Sequence, residues 1–312
     1  MRRYLLVIVV FMLFGDSLLA QVDSAEVYRQ LFEDDEQLDP IQDEEDDEEG
    51  KGIPIYVAIQ PSLYLANNAN ANYYNGAVME IGLIDRLVIQ TIWDNPNNKR
   101  IIKDDLGLND NQYDAVEFNE SNFNYNMNYD IGFLIGFQAF FAVQPRFSIL
   151  LGFDFVSLTT ASYITISVPD YESPNPDINS SVIKMEVMGK EQRFVIDLGL
   201  HWILGKRDLK YYVEGGGNFL MAKATDNKFK TGESTWNLMR TINNNTAANT
   251  ITSFTFGGTA GAGLFFKMNE DFAFEFGPSV GINNVEFPGY SGYFTNIQFN
   301  LRIIYLSKNN TL

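Results

Sequence analysis

From residue 53 onward, apolar and polar residues alternate along the chain with a period of two. Side chains on a β-strand point alternately to its two faces, so this period predicts strands that separate two environments. In the segment 147–157, for example, every odd position from 147 to 155 is apolar, whereas the even positions include Ser148, Gly152 and Asp154. Eight segments follow the pattern and predict eight strands: 55–65, 129–142, 147–157, 194–204, 209–222, 254–266, 272–283 and 293–305.

The two faces of these strands differ in a way that a water-soluble sandwich does not explain. One face carries Phe, Leu, Ile and Val with almost no charge, as contact with hydrocarbon requires. The other is rich in glycine and small polar residues, which suit the narrow interior of a small closed barrel. The segments are also long enough for tilted strands to cross a bilayer, which takes about 9–11 residues. We therefore predict an all-β fold, an eight-stranded antiparallel up-and-down transmembrane β-barrel.

The connections between the predicted strands give a second test of this fold. Three of them are short, and the other four are longer and rich in Asn, Asp, Ser and Pro. Short turns at one rim and long loops at the other are typical of outer-membrane barrels of Gram-negative cells. An even number of strands then places the N-terminal segment and the C-terminus together on the short-turn, periplasmic rim. The short connections are 143–146, 205–208 and 268–271.

The stretch 67–128, between the first two predicted strands, is too long for a simple loop. It contains apolar runs around 78–84 and 86–93, which predict an ordered extracellular insertion within the barrel domain 53–312. A helix or an extra hairpin that caps the barrel mouth is expected. The alternative is two more spanning strands, which would give ten.

The first 52 residues form no part of the predicted barrel. Residues 1–20 have two arginines, an apolar run and a small residue at Ala20, the order of a cleavable secretory signal peptide. Residues 21–52 follow as an acidic segment, in which 33–49 hold twelve acids and no base. Such a run lacks the apolar groups that would offset the entropy of ordering. We predict a disordered periplasmic tether, preceded by one short helix near 24–32.

Composition excludes several classes of site. The 312 residues hold 22 Lys and Arg against 40 Asp and Glu, a formal net charge of −18, which disfavours nucleic acid as a partner. The absence of cysteine excludes disulfides, thiolate metal sites and a cysteine nucleophile. One histidine, His201, cannot build a multi-histidine zinc site. We predict no catalytic, cofactor-binding or metal-binding residue.

A cluster of charges is expected inside the barrel, because five ionisable residues fall on the polar face of the strands. Glu275 and Arg302 lie on neighbouring strands at similar depth and are expected to pair, with Glu214 at the same level. Asp154 and Asp197 are expected to lie somewhat higher. Buried charges that satisfy one another are favoured over a proton or ion path, because side chains just fill an eight-stranded barrel.

His201 is predicted to be a structural residue. It lies near the short turn at Gly205 and faces the interior, about 13 Å along the strand from Asp197 at ~3.4 Å per residue. That separation is too long for the hydrogen bond that a general base and its orienting carboxylate share.

The chain resembles the PorT-like outer-membrane β-barrel proteins, within the broad eight-stranded class of OmpX-like and OmpA-like barrels. The resemblance lies in 132–141 with 144–148, in the segment Tyr211-Tyr212-Val213-Glu214-Gly215-Gly216-Gly217, in 258–266 and in 276–281. These segments build strands, so the resemblance implies an architecture more strongly than an activity. It also implies, for members like PorT, a link to the assembly of a secretion system. No motif in this chain carries that role.

The sequence therefore favours an integral outer-membrane protein that acts as a non-catalytic binding or scaffold protein of the cell envelope. An accessory factor of outer-membrane secretion or assembly is the alternative, and a narrow channel or membrane-embedded enzyme is a second one. The expected partners are outer-membrane lipid and envelope or secretion proteins. The loops leave a small-molecule ligand of unknown identity open.

Overall fold

The computed structural model describes residues 53–77, 88–169, 171, 181–205, 209–239, 250–287 and 290–306. The predicted signal peptide, 1–20, and the predicted acidic tether, 21–52, lie outside the described residues.

Nine strands are described, and eight of them form a closed ring. Each ring strand pairs antiparallel with its neighbours in the chain, and the first pairs with the last through contacts such as Ile59 with Ile303. The ninth, β6, only extends the outer end of β5, where Lys228 pairs with Asn237. The predicted eight-stranded up-and-down barrel is thus confirmed. The strands are β1 (Ile55–Leu65), β2 (Gly132–Gln144), β3 (Phe147–Ser167), β4 (Val182–Leu204), β5 (Leu209–Thr231), β6 (Ser234–Asn237), β7 (Ile251–Lys267), β8 (Phe272–Phe287) and β9 (Tyr290–Tyr305).

A belt of exposed apolar side chains surrounds the ring. The residues that represent each ring strand in this belt are 39% to 59% exposed, although every one is aromatic or aliphatic. A protein surrounded by water hides such a surface, because burying it is favourable at about 25 cal/mol per Å². Hydrocarbon contact explains the belt. Its representatives, one for each ring strand, are Ile59, Phe137, Phe153, Leu198, Tyr211, Phe266, Phe276 and Leu301.

The alternation of apolar and polar residues reverses above this belt. On β3, Phe153 and Phe155 point outward, whereas farther along the strand Ile164 and Ile166 are buried inside and Thr165 points outward. β4 shows the same reversal in the opposite chain direction, with Met185 buried inside. Water therefore meets the outer face of this upper wall, and an apolar core fills its inner face.

Six of the ring strands, β3 to β5 and β7 to β9, are longer than the sequence pattern predicted. The wall formed by β3, β4 and β5 extends well past residues 157, 194 and 222, because the reversed pattern still alternates. β8 continues to Phe287, so residues 288–289 are all that separate it from β9. The prediction of a long loop between the last two strands was therefore wrong.

The insertion 67–128 forms a helical cap over the end of the ring that the long strands extend. Its helices are α1 (Val88–Trp93), α2 (Pro96–Leu106) and α3 (Asp110–Asp114), with 3₁₀ turns at Asn68–Tyr74 and Glu120–Asn122. The alternative of two further spanning strands is wrong for the described part of the insertion.

Local sequence signals explain where α2 begins and ends. The side chain of Asn95 accepts a hydrogen bond from the backbone N–H of Asn97, and Pro96 fills the first turn, where its missing N–H is no loss. Gly107 ends the helix with φ +67°, a conformation that glycine adopts without strain. No helix in the described part of the chain is both long and apolar enough to cross a membrane.

The cap is held to the wall by one apolar core. Trp93 of α1 stacks on Tyr113 of α3, with ring centroids 4.6 Å apart, and the Tyr113 hydroxyl donates to the Trp93 carbonyl. Buried residues of the upper wall, such as Met185 and Phe229, belong to the same core. The cap therefore packs inside the wall as a folded part of the molecule.

Candidate functional site

Arg302 of β9 is the centre of a charge cluster in the lower lumen. Its guanidinium donates two hydrogen bonds to Glu214 of β5, at 2.6 Å and 2.7 Å, in a bidentate arrangement. A third, at 3.0 Å, goes to Glu275 of β8. All three side chains are buried, so each charge depends on the others for the stabilisation that water would otherwise give.

Strand register and small residues position this cluster. Glu275 and Arg302 are directly paired between β8 and β9. Glu214 pairs with Gly261 on β7, and a Cβ at Gly261 would lie 2.7 Å from Oε1 of Glu214. Glycine at this position leaves the space that the Glu214 side chain occupies on its way to Arg302.

His201 also belongs to the cluster, a contact that the sequence analysis did not predict. Its Nε2 lies 2.8 Å from Oε1 of Glu275, an ion pair when the imidazole is protonated. The ring stacks on Tyr212, with centroids 5.3 Å apart, and meets the edge of Phe140 at 5.1 Å. β4 and β8 are not neighbours in the ring, so this contact crosses the lumen.

Amide side chains complete the hydrogen bonding of Arg302. Oε1 of Gln60 accepts from Nε of Arg302 and from Nε2 of Gln138, each at 2.6 Å. Asn300 continues the network, accepting from Ser62 and donating to Ser279, each at 2.9 Å. A network of this kind favours one arrangement of the interior.

Asp154 and Asp197 lie apart from this cluster and border a polar cavity in the lumen. Asp154 is 5% exposed, and its Oδ1 has no hydrogen-bond partner among the described residues. Asp197 pairs in register with Asn218 of β5. Of the five predicted residues, the structure brings Glu214, Glu275 and Arg302 together and leaves the two aspartates separate.

A second charged group closes the lumen above the cavity. Nε of Arg193 donates to Glu191 at 2.6 Å, and its Nη1 donates to Tyr64 at 3.0 Å and to Asn296 at 3.1 Å. Two cap-side hydroxyls, from Tyr74 and Tyr129, donate to the same Glu191 carboxylate.

Burial and the adjacent Glu191 charge raise the pKa of the Tyr74 and Tyr129 hydroxyls well above its ordinary value, so both remain donors at neutral pH. The sequence analysis missed this group because it began the fourth strand at residue 194. Glu191 and Arg193 are two residues apart and therefore lie on one face of a strand. This spacing indicated that the strand begins before residue 194, with both side chains facing the lumen.

Below the charge cluster, apolar side chains fill the short-turn end of the barrel. Tyr56, Phe140, Phe265 and Ile304 are buried there in one cluster with Tyr212. The lumen is thus filled at three levels: apolar side chains at the bottom, the Arg302 cluster above them, and the Arg193 group under the cap. The polar cavity lies between the two charged levels.

Comparison with known proteins gives structural neighbours only. No family model matches the chain, and no curated protein matches it. Among solved structures, the Neisserial surface protein A is 8% identical with a TM-score of 0.37, covering 81% of this chain and 97% of that one. Ail of Yersinia pestis is 9% identical with a TM-score of 0.33, covering 81% and 98%. The outer membrane protein OprG of Pseudomonas aeruginosa is 9% identical with a TM-score of 0.34, covering 82% and 97%. Likenesses this distant carry no functional argument, and the barrel assignment rests on the strand pairing.

Proposed function

We propose that this protein is a non-conducting, non-catalytic binding or scaffold protein of the outer membrane. The barrel serves as its anchor, and the cap with the upper wall serves as its recognition surface. The observation that carries the proposal is the filled lumen: Arg302 and Arg193 each tie several strands together across the interior. A barrel built for passage would leave that space to water.

The two rims support an orientation for this anchor. The first described residue of the barrel, Ile53, lies beside the rim of short turns, and β9 ends at the same rim with Tyr305. In outer-membrane barrels this rim faces the periplasm. The cap and the upper wall then face the cell exterior, where a binding surface would meet its partner.

Planar-bilayer recording of the refolded full chain tests the absence of conductance. We expect no current steps at high applied voltage, because the lumen is blocked at two charged levels. A known open porin, reconstituted in the same bilayers, provides the positive control. Regular current steps from the purified protein would overturn the proposal.

An accessory role in secretion or assembly is the alternative that the PorT-like resemblance suggests. The acidic segment 33–49 precedes the barrel at the short-turn rim, where a basic periplasmic partner would meet it. Co-purification from native outer membranes in mild detergent separates the two roles. Loss of envelope partners on deletion of 33–49 favours assembly, whereas unchanged partners favour recognition by the cap.

A further inference from the structure

One side of the upper wall carries a strip of lysines just above the apolar belt. We call Lys184, Lys190, Lys223, Lys228 and Lys230 the lysine strip. Their positions on β4 and β5 alternate with buried residues, so their side chains point outward. Within the described strands, every outward-pointing Lys or Arg above the belt belongs to this strip.

Two members of the lysine strip lie next to the membrane edge. Lys223 is the next outward position after Met221, and Lys190 is two outward positions beyond Phe194, where Phe194 and Met221 are a cross-strand pair. At ~3.4 Å per residue, the two lysines lie about 7 Å and 13 Å along their strands from the apolar belt. Strand tilt reduces these heights further. This is the depth of lipid headgroups.

The strip carries more positive than negative charge. Two acids share its face: Asp226 contacts Lys228 at 2.8 Å and pairs in register with Lys190, and Glu186 pairs in register with Lys230. Lys190 and Lys223 form no ion pair with another described residue. At the same level on neighbouring strands Ser157 and Thr252 are neutral, and the exposed Asp130, which accepts a hydrogen bond from Thr159, is negative. A local excess of positive charge on a chain of net charge −18 is therefore confined to one side of the barrel.

We propose that the lysine strip binds the phosphate groups of glycolipids in the outer leaflet. This inference rests on the proposed function, which places the cap side of the barrel outside the cell. Lysine ammonium groups bind phosphate as point charges, and a basic residue near an anionic membrane surface is attracted to it. The strip would hold such lipids against β4 and β5 and orient the barrel in the bilayer.

Binding of diphosphorylated lipid A to the full chain in zwitterionic micelles tests the proposal, with native mass spectrometry as the readout. Lys190→Gln and Lys223→Gln should each weaken retention about fivefold, and the double variant about 25-fold. Arg100→Gln, which removes one positive charge from an exposed position on α2, is the matched control and should bind like the parent protein.

Two further probes identify the source of the phosphate. Lipid A without its phosphates should bind as weakly as lipid A binds the double variant. Inorganic phosphate should not compete with lipid A at equal concentration. Equal retention of both forms of lipid A, effective competition by free phosphate, or an unaffected double variant would each overturn the proposal.

Failure of the anchor proposal would look different. Insertion of the full chain into vesicles of phosphatidylcholine alone is measured by co-flotation. If the protein inserts but shows no preference for phosphorylated lipid A, the anchor proposal stands and the lysine-strip proposal is wrong. If the protein does not insert, the proposed function is wrong, and the retention of lipid A in micelles still tests the lysine strip.

Discussion

Arg302 neutralises two carboxylates in a part of the lumen where water is scarce. Its removal leaves Glu214 and Glu275 buried without their common partner, and an uncompensated buried charge is more expensive than the intact group. The positive charge of Arg302 therefore helps to hold β5, β8 and β9 together.

We expect Arg302→Met to lower the free energy of unfolding by about 3–5 kcal/mol, the usual effect of breaking a buried ion pair. Urea unfolding in micelles, followed by tryptophan fluorescence, measures this. Arg100→Met on the exposed surface of α2 is the control and should change stability little. Equal stability of the two variants would show that the Arg302 cluster does not hold the interior together.

The cap tyrosines predict a dependence on alkaline pH. Burial, with a smaller contribution from the nearby Asp94 and Asp114 charges, raises the pKa of Tyr113 from 10.0 to about 12. Because the folded state holds this proton more tightly, its contribution to stability is complete below pH 10. That contribution declines as the pH rises toward 12.

The measurement is a thermal melt of the cap at a series of alkaline pH values. Parent protein should melt at progressively lower temperature above about pH 10. Tyr113→Phe lacks the titrating hydroxyl and should show a shallower decline, starting from lower stability because its hydrogen bond to the Trp93 carbonyl is lost. Parallel declines for the two proteins would assign the effect to other tyrosines.

Part of the charge cluster could be predicted from the sequence, and part could not. Glu275 and Arg302 fall at equal depth on neighbouring strands, so the alternating pattern was enough to pair them. The contact between His201 and Glu275 crosses the lumen between strands that are not neighbours. It depends on barrel diameter and strand tilt, which a pattern along one strand does not give.

At the scale of the strands, glycines decide how closely neighbouring backbones approach. Gly216 and Gly217 are adjacent on β5 and illustrate two environments. A Cβ at Gly216 would overlap the Leu198 carbonyl oxygen and the Cα of Gly199 on β4, both of which are backbone atoms. A Cβ at Gly217 would meet nothing closer than the Gly257 carbonyl oxygen, 3.8 Å away.

We therefore expect Gly216→Ala to destabilise the barrel by about 1–3 kcal/mol, as overpacking usually does. Gly217→Ala is the matched control and should leave stability nearly unchanged. Electrophoretic mobility of heated and unheated samples, recorded over a range of temperatures, gives the unfolding midpoint of each. Similar midpoints would contradict the close approach of β4 and β5 at Gly216.

The sequence pattern predicted the ring strands because hydrocarbon contact selects apolar residues on one face for their whole length. It did not predict the upper parts of β3, β4 and β5, because there the apolar face turns inward. Ile164 and Ile166 alternate as regularly as Phe153 and Phe155, with the opposite polarity. A strand predicted from one apolar face ends where that face becomes polar, although the actual strand continues.

For the molecule as a whole, the belt predicts where a charge is tolerated. Phe137 points outward in the middle of the belt on β2, and Ala161 points outward on β3 above it. Phe137→Arg should lower the free energy of unfolding in lipid vesicles by about 2–4 kcal/mol, since it places a charge near the bilayer centre.

Ala161→Arg is the control and should have little effect, because this position meets water. The comparison uses reversible unfolding in vesicles, where the bilayer surrounds the folded barrel. If both substitutions were equally harmless, the apolar belt would not be a hydrocarbon surface.

The placement of the cap in the chain determines the order in which the molecule can assemble. Ile89, Trp93 and Ile102 come earlier in the chain than the upper wall that covers them, since that wall comes from residues 158–239. Until β3, β4 and β5 are in place, these side chains have no apolar surface to join. An apolar segment therefore stays uncovered until the wall has formed, and docking of the cap is a late step in folding.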